Sequence, residues 1–170
     1  IYEKGVEEFY YASKKAHDRN PNLKFYLIGD YDDKNRNAIS KELFFKIKNC
    51  NHIQYSKFQN ILFNIMHNFD CFILPSYREG KSKFLLEGLA IGKPLIVSNV
   101  PGCEELCSTN NGYVFENKSV NSLFNSIEKM SKKSKSDMIK MGKFSRKLSE
   151  KYYDQKFVIN KYEEIIDILK

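Results

Sequence analysis

The sequence has no apolar run near the ~20 residues that a membrane-spanning helix needs. It also opens without the charged-then-apolar pattern of a secretory signal peptide. Its four cysteines include no CxxC pair, and Cys71 falls inside a predicted core strand, which favours a reduced, cytoplasmic compartment. Cys103 and Cys107 have no histidine near them and make a poor metal site. We therefore expect a cytoplasmic protein that holds no metal.

Common nucleotide and hydrolase signatures are absent as well. The chain has no GxGxxG after a strand, no GxxxxGK[ST] and no HExxH. The three histidines lie on unrelated predicted elements, and none stands beside a serine or cysteine as a catalytic base would (His17, His52 and His67). This pattern argues against the chemistry of a hydrolytic triad.

Positive charge is concentrated in one segment. The chain has a formal net charge of +7, and residues 129–147 hold eight Lys or Arg against the single acid Asp137, which accounts for all of it. The segment has three interpretations: a solvated helical face, attraction to an anionic membrane surface, or nucleic-acid binding. Because it lacks interleaved aromatic residues and any known nucleic-acid motif, we expect no nucleic-acid partner. The other two interpretations remain open.

Short apolar runs alternate with amphipathic segments along the chain, which favours an α/β fold built on a doubly wound parallel sheet. The predicted strands cover residues 23–28, 52–55, 69–74, 94–98 and 113–115. The predicted helices cover 6–16, 39–47, a third from about Phe58 that carries Ile61, Leu62, Ile65 and Met66, then 85–90, 120–127, 134–150 and 157–169. A length of 170 residues suits a single domain.

Residues 75–94 form the most informative stretch, because a buried strand runs there into a glycine-containing loop and a short helix. Ligands of such sheets collect beyond the carboxyl ends of the strands, and phosphates bind at helix N-termini. Glu79 and Glu87 bracket this cradle; they would repel an anion but suit the hydroxyl groups of a sugar or a ribose. The pattern therefore suggests a nucleotide sugar. The alternative is structural, with Glu79 capping the helix and Glu87 exposed on it.

The same residues carry a family resemblance. The pattern is Pro75-Ser76-x-x-Glu79-Gly80-x4-Leu85-Leu86-Glu87-Gly88-Leu89-Ala90-x-Gly92-Lys93-Pro94, continued by Val100-Pro101-Gly102-Cys103 and Asn111-Gly112, and preceded by Lys4-Gly5 and Gly29-Asp30. This resembles the C-terminal, nucleotide-sugar-binding domain of retaining GT-B glycosyltransferases of family four, the glycosyl transferases group 1. The likeness covers the chain up to about residue 130. It implies a Rossmann-like half of a GT-B fold.

The resemblance implies roles for individual residues at the donor sugar and the diphosphate. Glu79 matches the glutamate that binds donor-sugar hydroxyls, and Glu87 the one that accepts from the ribose. Lys4 matches the lysine that neutralises the diphosphate and assists departure of the leaving group, so Lys4 and Glu79 are the catalytic candidates. The diphosphate would be held by the backbone around Gly80, by the amides of Lys81 and Ser82, and by Lys83.

The segment near the nucleobase matches Ser56, Lys57 and Phe58, although Ser56 replaces a glycine common in the family. A second departure is Lys81, which stands where the family often has an aromatic or apolar residue. The family's arginine and the first strand of this domain would lie upstream of Ile1. The family's N-terminal, acceptor-binding half has no counterpart in the sequence.

The resemblance therefore implies one donor-binding domain over residues 1–170, with a helix over 152–170 that packs toward the missing half. We expect sugar transfer from a nucleoside diphosphate sugar to an acceptor hydroxyl with retention, without a cofactor, in synthesis of bacterial cell-surface polysaccharide. The expected partners are the nucleotide sugar, the acceptor domain and, through residues 129–147, the inner face of the membrane. Two other functions stay open: a non-catalytic module that binds nucleotides or anions, and a basic membrane-associated scaffold.

Overall fold

The computed structural model describes residues 1–58 and 65–168. Parallel strands alternate with helices in this part of the chain, so the predicted α/β fold is confirmed. The strands are β1 (Phe25–Ile28), β2 (Ile53–Ser56), β3 (Phe72–Leu74), β4 (Leu95–Ser98) and β5 (Gly112–Phe115). The helices are α1 (Val6–Arg19), α2 (Lys41–Asn49), α3 (Lys83–Ala90), α4 (Val120–Ser131), α5 (Lys135–Tyr152) and α6 (Gln155–Ile168), with short 3₁₀ turns at Tyr2–Lys4 and Glu104–Leu106.

Most of the predicted third helix falls on residues 59–64, which lie outside the described residues, as does position 169 of the last predicted helix. Ile65 and Met66, at the end of that third helix, are helical. Met66 is buried among the apolar residues that pack on β3 and β4.

The strands hydrogen-bond in two parallel sheets rather than in one. β1 pairs with β2, with Phe25 opposite Ile53, and β4 lies between β3 and β5, with Leu95 opposite Gly112. Between the two sheets lies a cavity of about 1220 Å³ whose wall includes side chains from both β1 and β3. The sequence pattern predicts the strands and their parallel direction, whereas the separation into two sheets is a finding of the structure.

Strand β4 is buried on both faces and joins two hydrophobic cores. Leu95 and Val97 pack with α3, and Ile96 between them packs with α4 on the opposite side. Because successive side chains of a strand point to opposite faces, an unbroken apolar run suits a strand covered by helices on both sides. This layering explains the sequence Leu-Ile-Val at 95–97.

Helix α5 packs closely against the end of α3. Gly92, which follows α3, has φ = 70°, as is typical of a residue just beyond a helix C-terminus, and this confirms its predicted capping position. A Cβ atom on Gly142 of α5 would lie 2.2 Å from the carbonyl oxygen of Gly92, so the two backbones meet with no room for a side chain. The Ser145 hydroxyl adds a hydrogen bond of 2.8 Å to the Lys93 carbonyl.

Helix α6 contrasts with the rest, since none of its described residues is buried. Phe157, Val158 and Tyr162 expose between 47% and 66% of their surface. The packing of this helix toward an acceptor-binding half therefore stays a prediction. Across residues 1–58 and 65–168, none of the helices combines the length and the apolar composition that crossing a bilayer requires.

Candidate functional site

The candidate site lies beyond the carboxyl end of β3, where the loop before α3 meets the N-terminal turn. The Tyr77 N–H donates to the Glu3 carbonyl at 2.8 Å and fixes the two segments against each other. Gly5 makes this approach possible: its φ is 65°, and a Cβ atom there would lie 2.0 Å from the carbonyl oxygen of Pro75. The Lys-Gly pair at 4–5 thus brings a lysine beside the loop that carries Glu79.

Lys4 and Glu79, 75 positions apart in the chain, form an ion pair. The Lys4 Nζ donates to the Glu79 Oε1 at 2.5 Å. The Glu79 side chain is only 12% exposed, whereas the Lys4 side chain is 47% exposed. Because an ammonium group has three donors, Lys4 can hold the carboxylate and still offer hydrogen bonds to a ligand. The structure therefore brings the two predicted catalytic residues together.

The N-terminus of α3 is capped by Ser82, whose hydroxyl accepts from the Leu85 N–H at 3.4 Å. The alternative interpretation of Glu79 as the helix cap is therefore wrong. Its carboxylate is turned to Lys4 instead. The first N–H groups of a helix have no partner within the helix and carry partial positive charge, so the start of α3 favours an anion.

Lys83 and Glu87 lie one turn apart on α3, with 3.7 Å between the Lys83 Nζ and a Glu87 carboxylate oxygen. The Lys83 side chain is 90% exposed, so the contact constrains it little. Lys81 points to the end of α5, where its ammonium lies 4.9 Å from the centroid of the Tyr153 ring. The lysine that departs from the family pattern thus has a cation–π partner that the sequence pattern did not reveal.

Six of the predicted site residues line the cavity between the sheets: Lys4, Phe58, Glu79, Lys81, Ser82 and Lys83. The other four, Ser56, Lys57, Gly80 and Glu87, are not part of its wall. Ser56 ends β2, and its hydroxyl donates to the Lys57 carbonyl at 3.2 Å. Gly80 faces open space, since nothing lies within 4 Å of the position that a Cβ atom would take. This opening agrees with a backbone that a ligand can approach.

The loop at Gly102 packs against the backbone of Gly80. Gly102 has φ = 79°, and a Cβ atom there would lie 1.5 Å from the Gly80 carbonyl oxygen. The Val-Pro-Gly-Cys sequence at 100–103 therefore supports the site loop from behind. Its cysteine is fully buried, and burial raises the pKa of the Cys103 thiol to about 11.

Sequence reasoning missed the contact between the buried Glu8 and the half-buried Tyr77 next to the site. Glu8 is 8% exposed and accepts hydrogen bonds from the Tyr77 hydroxyl. Burial and the Glu8 contact raise the pKa of Tyr77 well above its usual range. Lys118 places its ammonium 4.9 Å from the Tyr77 ring centroid. Glu8 gave no signal because an acid in the first turn of a helix is ordinary.

Among residues 1–58 and 65–168, no group of three or more His, Cys, Asp or Glu side chains is arranged to hold a metal ion. The buried cysteines also lack the lowered pKa of reactive thiols, because burial raises the pKa of Cys107 to about 12.

Comparison with known proteins identifies a family. The family described as glycosyl transferases group 1 matches residues 1–150. An N,N'-diacetylbacillosaminyl-diphospho-undecaprenol alpha-1,3-N-acetylgalactosaminyltransferase of Campylobacter jejuni is 33% identical over 108 residues, which cover 64% of this chain and 27% of that protein. The chain therefore spans about a quarter of the length of that relative.

Solved structures share the fold, and two of them serve as examples. The C-terminal domain of the group 1 glycosyl transferase LpcC from Francisella tularensis is 22% identical and superposes with a TM-score of 0.78, covering 91% of this chain and 82% of that one. Anabaena HepE in complex with UDP and glucose is 18% identical, with a TM-score of 0.82 and coverage of 98% and 45%.

Proposed function

Because the chain belongs to the glycosyl transferases group 1 family, we propose that it is the donor-binding domain of a glycosyltransferase. The full enzyme transfers a sugar from a nucleoside diphosphate sugar to an acceptor hydroxyl, with retention of configuration. The observation that carries this proposal is the contact between Lys4 and Glu79 beside the N-terminus of α3. It combines a cation and helix amides for a diphosphate with a carboxylate for sugar hydroxyls.

The diphosphate binds at the start of α3 in this proposal. The helix N-terminus, the amides of Lys81 and Ser82 and the exposed ammonium of Lys83 supply positive charge there. Lys4 stabilises the charge that develops on the leaving diphosphate, as fixed donors do in a preorganised site. These groups offset the phosphate charge without a metal ion.

The two glutamates bind hydroxyl groups at opposite ends of the donor. Glu79 accepts from the donor sugar while Lys4 holds its other side, and Glu87, one-third exposed on α3, accepts from the ribose. The base lies near residues 56–58, where Phe58 is 55% exposed and offers a ring for stacking. Anabaena HepE is recorded with UDP and glucose, which supports uridine diphosphate as the first nucleotide to test.

The acceptor binds in a second half of the enzyme, and this chain does not turn over alone. The chain spans 27% of the Campylobacter relative, which leaves room for such a half in a longer polypeptide. Helix α6, with its exposed Phe157, Val158 and Tyr162, is the surface that packs against it. Catalysis then depends on positioning the acceptor hydroxyl in the cleft between the halves.

The enzyme works in the cytoplasm on cell-surface polysaccharide, in peripheral contact with the inner face of the membrane through residues 129–147. The name of the Campylobacter relative includes a diphospho-undecaprenol acceptor, which supports a lipid-linked acceptor at that membrane. A non-catalytic nucleotide-binding module is the competing function. It keeps nucleotide affinity but shows no transfer when joined to its acceptor half.

Calorimetric titration of the 170-residue chain with UDP and with UDP-glucose tests donor binding. We expect both to bind, and we expect Glu79→Ala to lower the affinity for UDP-glucose about tenfold while the affinity for UDP changes little. Lys4→Met should lower the affinity for both ligands. Lys14→Met serves as the control, because Lys14 is exposed on α1 and pairs with Asp18 in the same helix. If Glu79→Ala lowered the affinity for UDP and for UDP-glucose by the same factor, the proposed contact of this glutamate with the sugar would be contradicted.

Transfer assays separate the enzyme from the binding module. In the polypeptide joined to its acceptor half, Glu79→Ala must abolish transfer with the fold intact. Robust sugar transfer by the 170-residue chain alone would contradict the proposal that the acceptor binds in a separate half of the enzyme.

A further inference from the structure

We propose that Tyr153 is a positioning residue for the donor site, which acts by holding Lys81 at the start of helix α3. The Lys81 ammonium lies 4.9 Å from the centroid of the Tyr153 ring, within the range of a cation–π contact. Tyr153 is not part of the cavity wall, so it acts through Lys81. This role rests on the proposed function, in which the amides of Lys81 and Ser82 bind the diphosphate.

The Lys81 ammonium depends on this ring. In the part of the chain that the structure describes, no carboxylate lies at ion-pair distance from it, and the Tyr153 ring is its partner. The neighbouring lysines differ, because each pairs with a glutamate (Lys4 with Glu79 and Lys83 with Glu87). Loss of the Tyr153 ring would therefore leave the Lys81 side chain without a partner among the described residues.

Packing outside the loop sets the position of the ring. Gly142 of α5 meets Gly92, just beyond the end of α3. Tyr153 stands eleven positions after Gly142. Lys81 stands eleven positions before Gly92, so the two helices run side by side in opposite directions and the end of α5 reaches the start of α3. The Tyr153 ring also packs against the hydrophobic core that contains Leu85.

Gly80 explains why the loop before α3 needs such an anchor. It has no side chain, and nothing lies within 4 Å of the position that a Cβ atom would take there. Lys81 is the next residue along the chain that has a side chain to hold. Ordering a flexible backbone during binding costs conformational entropy and lowers affinity. A Lys81 that is already held by Tyr153 therefore presents its amide to a diphosphate at a smaller cost.

Calorimetric titration of the 170-residue chain with UDP tests the role of the ring. Tyr153→Leu removes the ring but keeps an apolar side chain. We expect it to lower the affinity for UDP about two- to fivefold, the factor that one cation–π contact at an exposed site contributes. Tyr153→Phe keeps the ring and should bind UDP as the unchanged chain does. In a chain that already carries Lys81→Met, Tyr153→Leu should have no further effect.

Tyr152 supplies a matched control. The Lys151 ammonium lies 4.9 Å from the centroid of its ring, so Tyr152→Leu removes a contact of the same kind and length. The Tyr152 ring is also 6.4 Å from the Tyr153 ring, and the variant thus disturbs the surroundings of Tyr153 without removing its contact with Lys81. Tyr152→Leu should leave the affinity for UDP unchanged.

Hydrogen exchange read by NMR tests the anchoring without a ligand. The Leu86 amide donates to the Ser82 carbonyl at 3.0 Å in the first turn of α3. The Leu95 amide of β4 donates to the Asn111 carbonyl at 2.9 Å and serves as the reference. Tyr153→Leu should speed exchange at Leu86 more than at Leu95, because it releases the start of α3 rather than the whole fold.

Three results would overturn the role of Tyr153 while donor binding stands. One is a Tyr153→Leu variant that binds UDP as tightly as the unchanged chain. Another is an equal loss of affinity with and without Lys81→Met, which would indicate a general effect on packing. The third is a higher affinity in Tyr153→Leu, since the ring would then compete with the ligand for Lys81.

Failure of the proposed function gives a different result. The unchanged chain would then not bind UDP at all, even if Tyr153→Leu speeds exchange at Leu86. That combination would contradict donor binding, and with it the role of Tyr153 at the donor, although the ring would still order the start of α3.

Discussion

The Tyr77 hydroxyl lies 2.6 Å from the Oε1 and 2.7 Å from the Oε2 of Glu8, a carboxylate buried in the first turn of α1. Tyr77 stands two residues before Glu79, and Glu8 stands four residues after Lys4. The contact therefore ties together the two chain segments that carry the candidate catalytic pair. Since a buried polar group that lacks a hydrogen-bond partner destabilises a fold, this pair bears on stability, and through the two segments it joins it bears on donor binding.

We expect Tyr77→Phe to destabilise the chain by about 1–3 kcal/mol, because it removes the hydroxyl that satisfies the buried Glu8 carboxylate. The affinity for UDP should fall as well, since the loop of Glu79 loses one of its anchors. Urea unfolding and calorimetry measure the two effects. Tyr11→Phe, at a ring that is 42% exposed, is the control and should change neither. A Tyr77→Phe variant as stable as the unchanged chain would show that the contact between Tyr77 and Glu8 does not contribute to stability.

The ion pair of Lys4 and Glu79 should be more than a surface contact. A double-mutant cycle with Lys4→Met and Glu79→Gln, read by urea unfolding, should give a coupling energy of about 1 kcal/mol or more, since the carboxylate is only 12% exposed. The same cycle at the exposed pair of Lys14 and Asp18 should give a clearly smaller coupling energy, because solvent screens both charges. Equal coupling in the two pairs would contradict a special role for the pair of Lys4 and Glu79.

Gly102 and Gly80 offer a matched pair of substitutions. Gly102→Ala places a Cβ atom 1.5 Å from the Gly80 carbonyl oxygen in a residue with φ = 79°, so we expect a lower melting temperature and displacement of the site loop. Gly80→Ala meets nothing within 4 Å and should keep the stability of the unchanged chain within about 1 kcal/mol. It should nevertheless weaken the binding of UDP, since its methyl group would enter the open space that we propose for the diphosphate. Thermal unfolding and calorimetry separate these outcomes.

The buried thiol of Cys103 predicts a loss of stability at alkaline pH. Burial raises the pKa of this thiol from 9.0 to about 11, so above about pH 9 the unfolded chain releases a proton that the folded chain retains. The free energy of unfolding therefore falls between about pH 9 and about pH 11, by about 1–3 kcal/mol from this group. Cys103→Ala should make the fall shallower in urea titrations, while the buried Cys107 thiol still contributes to it. Below about pH 9 the free energy of unfolding should depend on pH in the same way in the unchanged chain and in Cys103→Ala.

The sequence pattern predicts those features that depend on neighbours along the chain. The run Leu-Ile-Val at 95–97 indicated a strand covered on both faces, and Gly92 indicated the end of α3, and both are confirmed. Lys4 and Glu79 were selected from family motifs, and their contact could not be derived from either segment alone. Their functional roles stay predictions.

The features that sequence reasoning missed are contacts between distant segments. In the sequence, Glu8 is an ordinary acid near the start of a helix. Its partner Tyr77 lies 69 positions away, and only the fold brings the two together. Similarly, Lys81 contacts the ring of Tyr153, which lies at the end of α5, a helix that begins more than fifty positions after Lys81. The separation of β1 and β3 left no trace in the local pattern either, because pairing depends on which strand edges meet.

The cavity between the two sheets leaves strand edges that favour self-association of the protein. On the sides that line it, the backbone groups of β1 and β3 have no strand partner within residues 1–58 and 65–168. Unpaired strand edges act as templates for another chain, so two copies can add strands to each other. We therefore expect association that increases with protein concentration and is suppressed when an extended peptide occupies the gap.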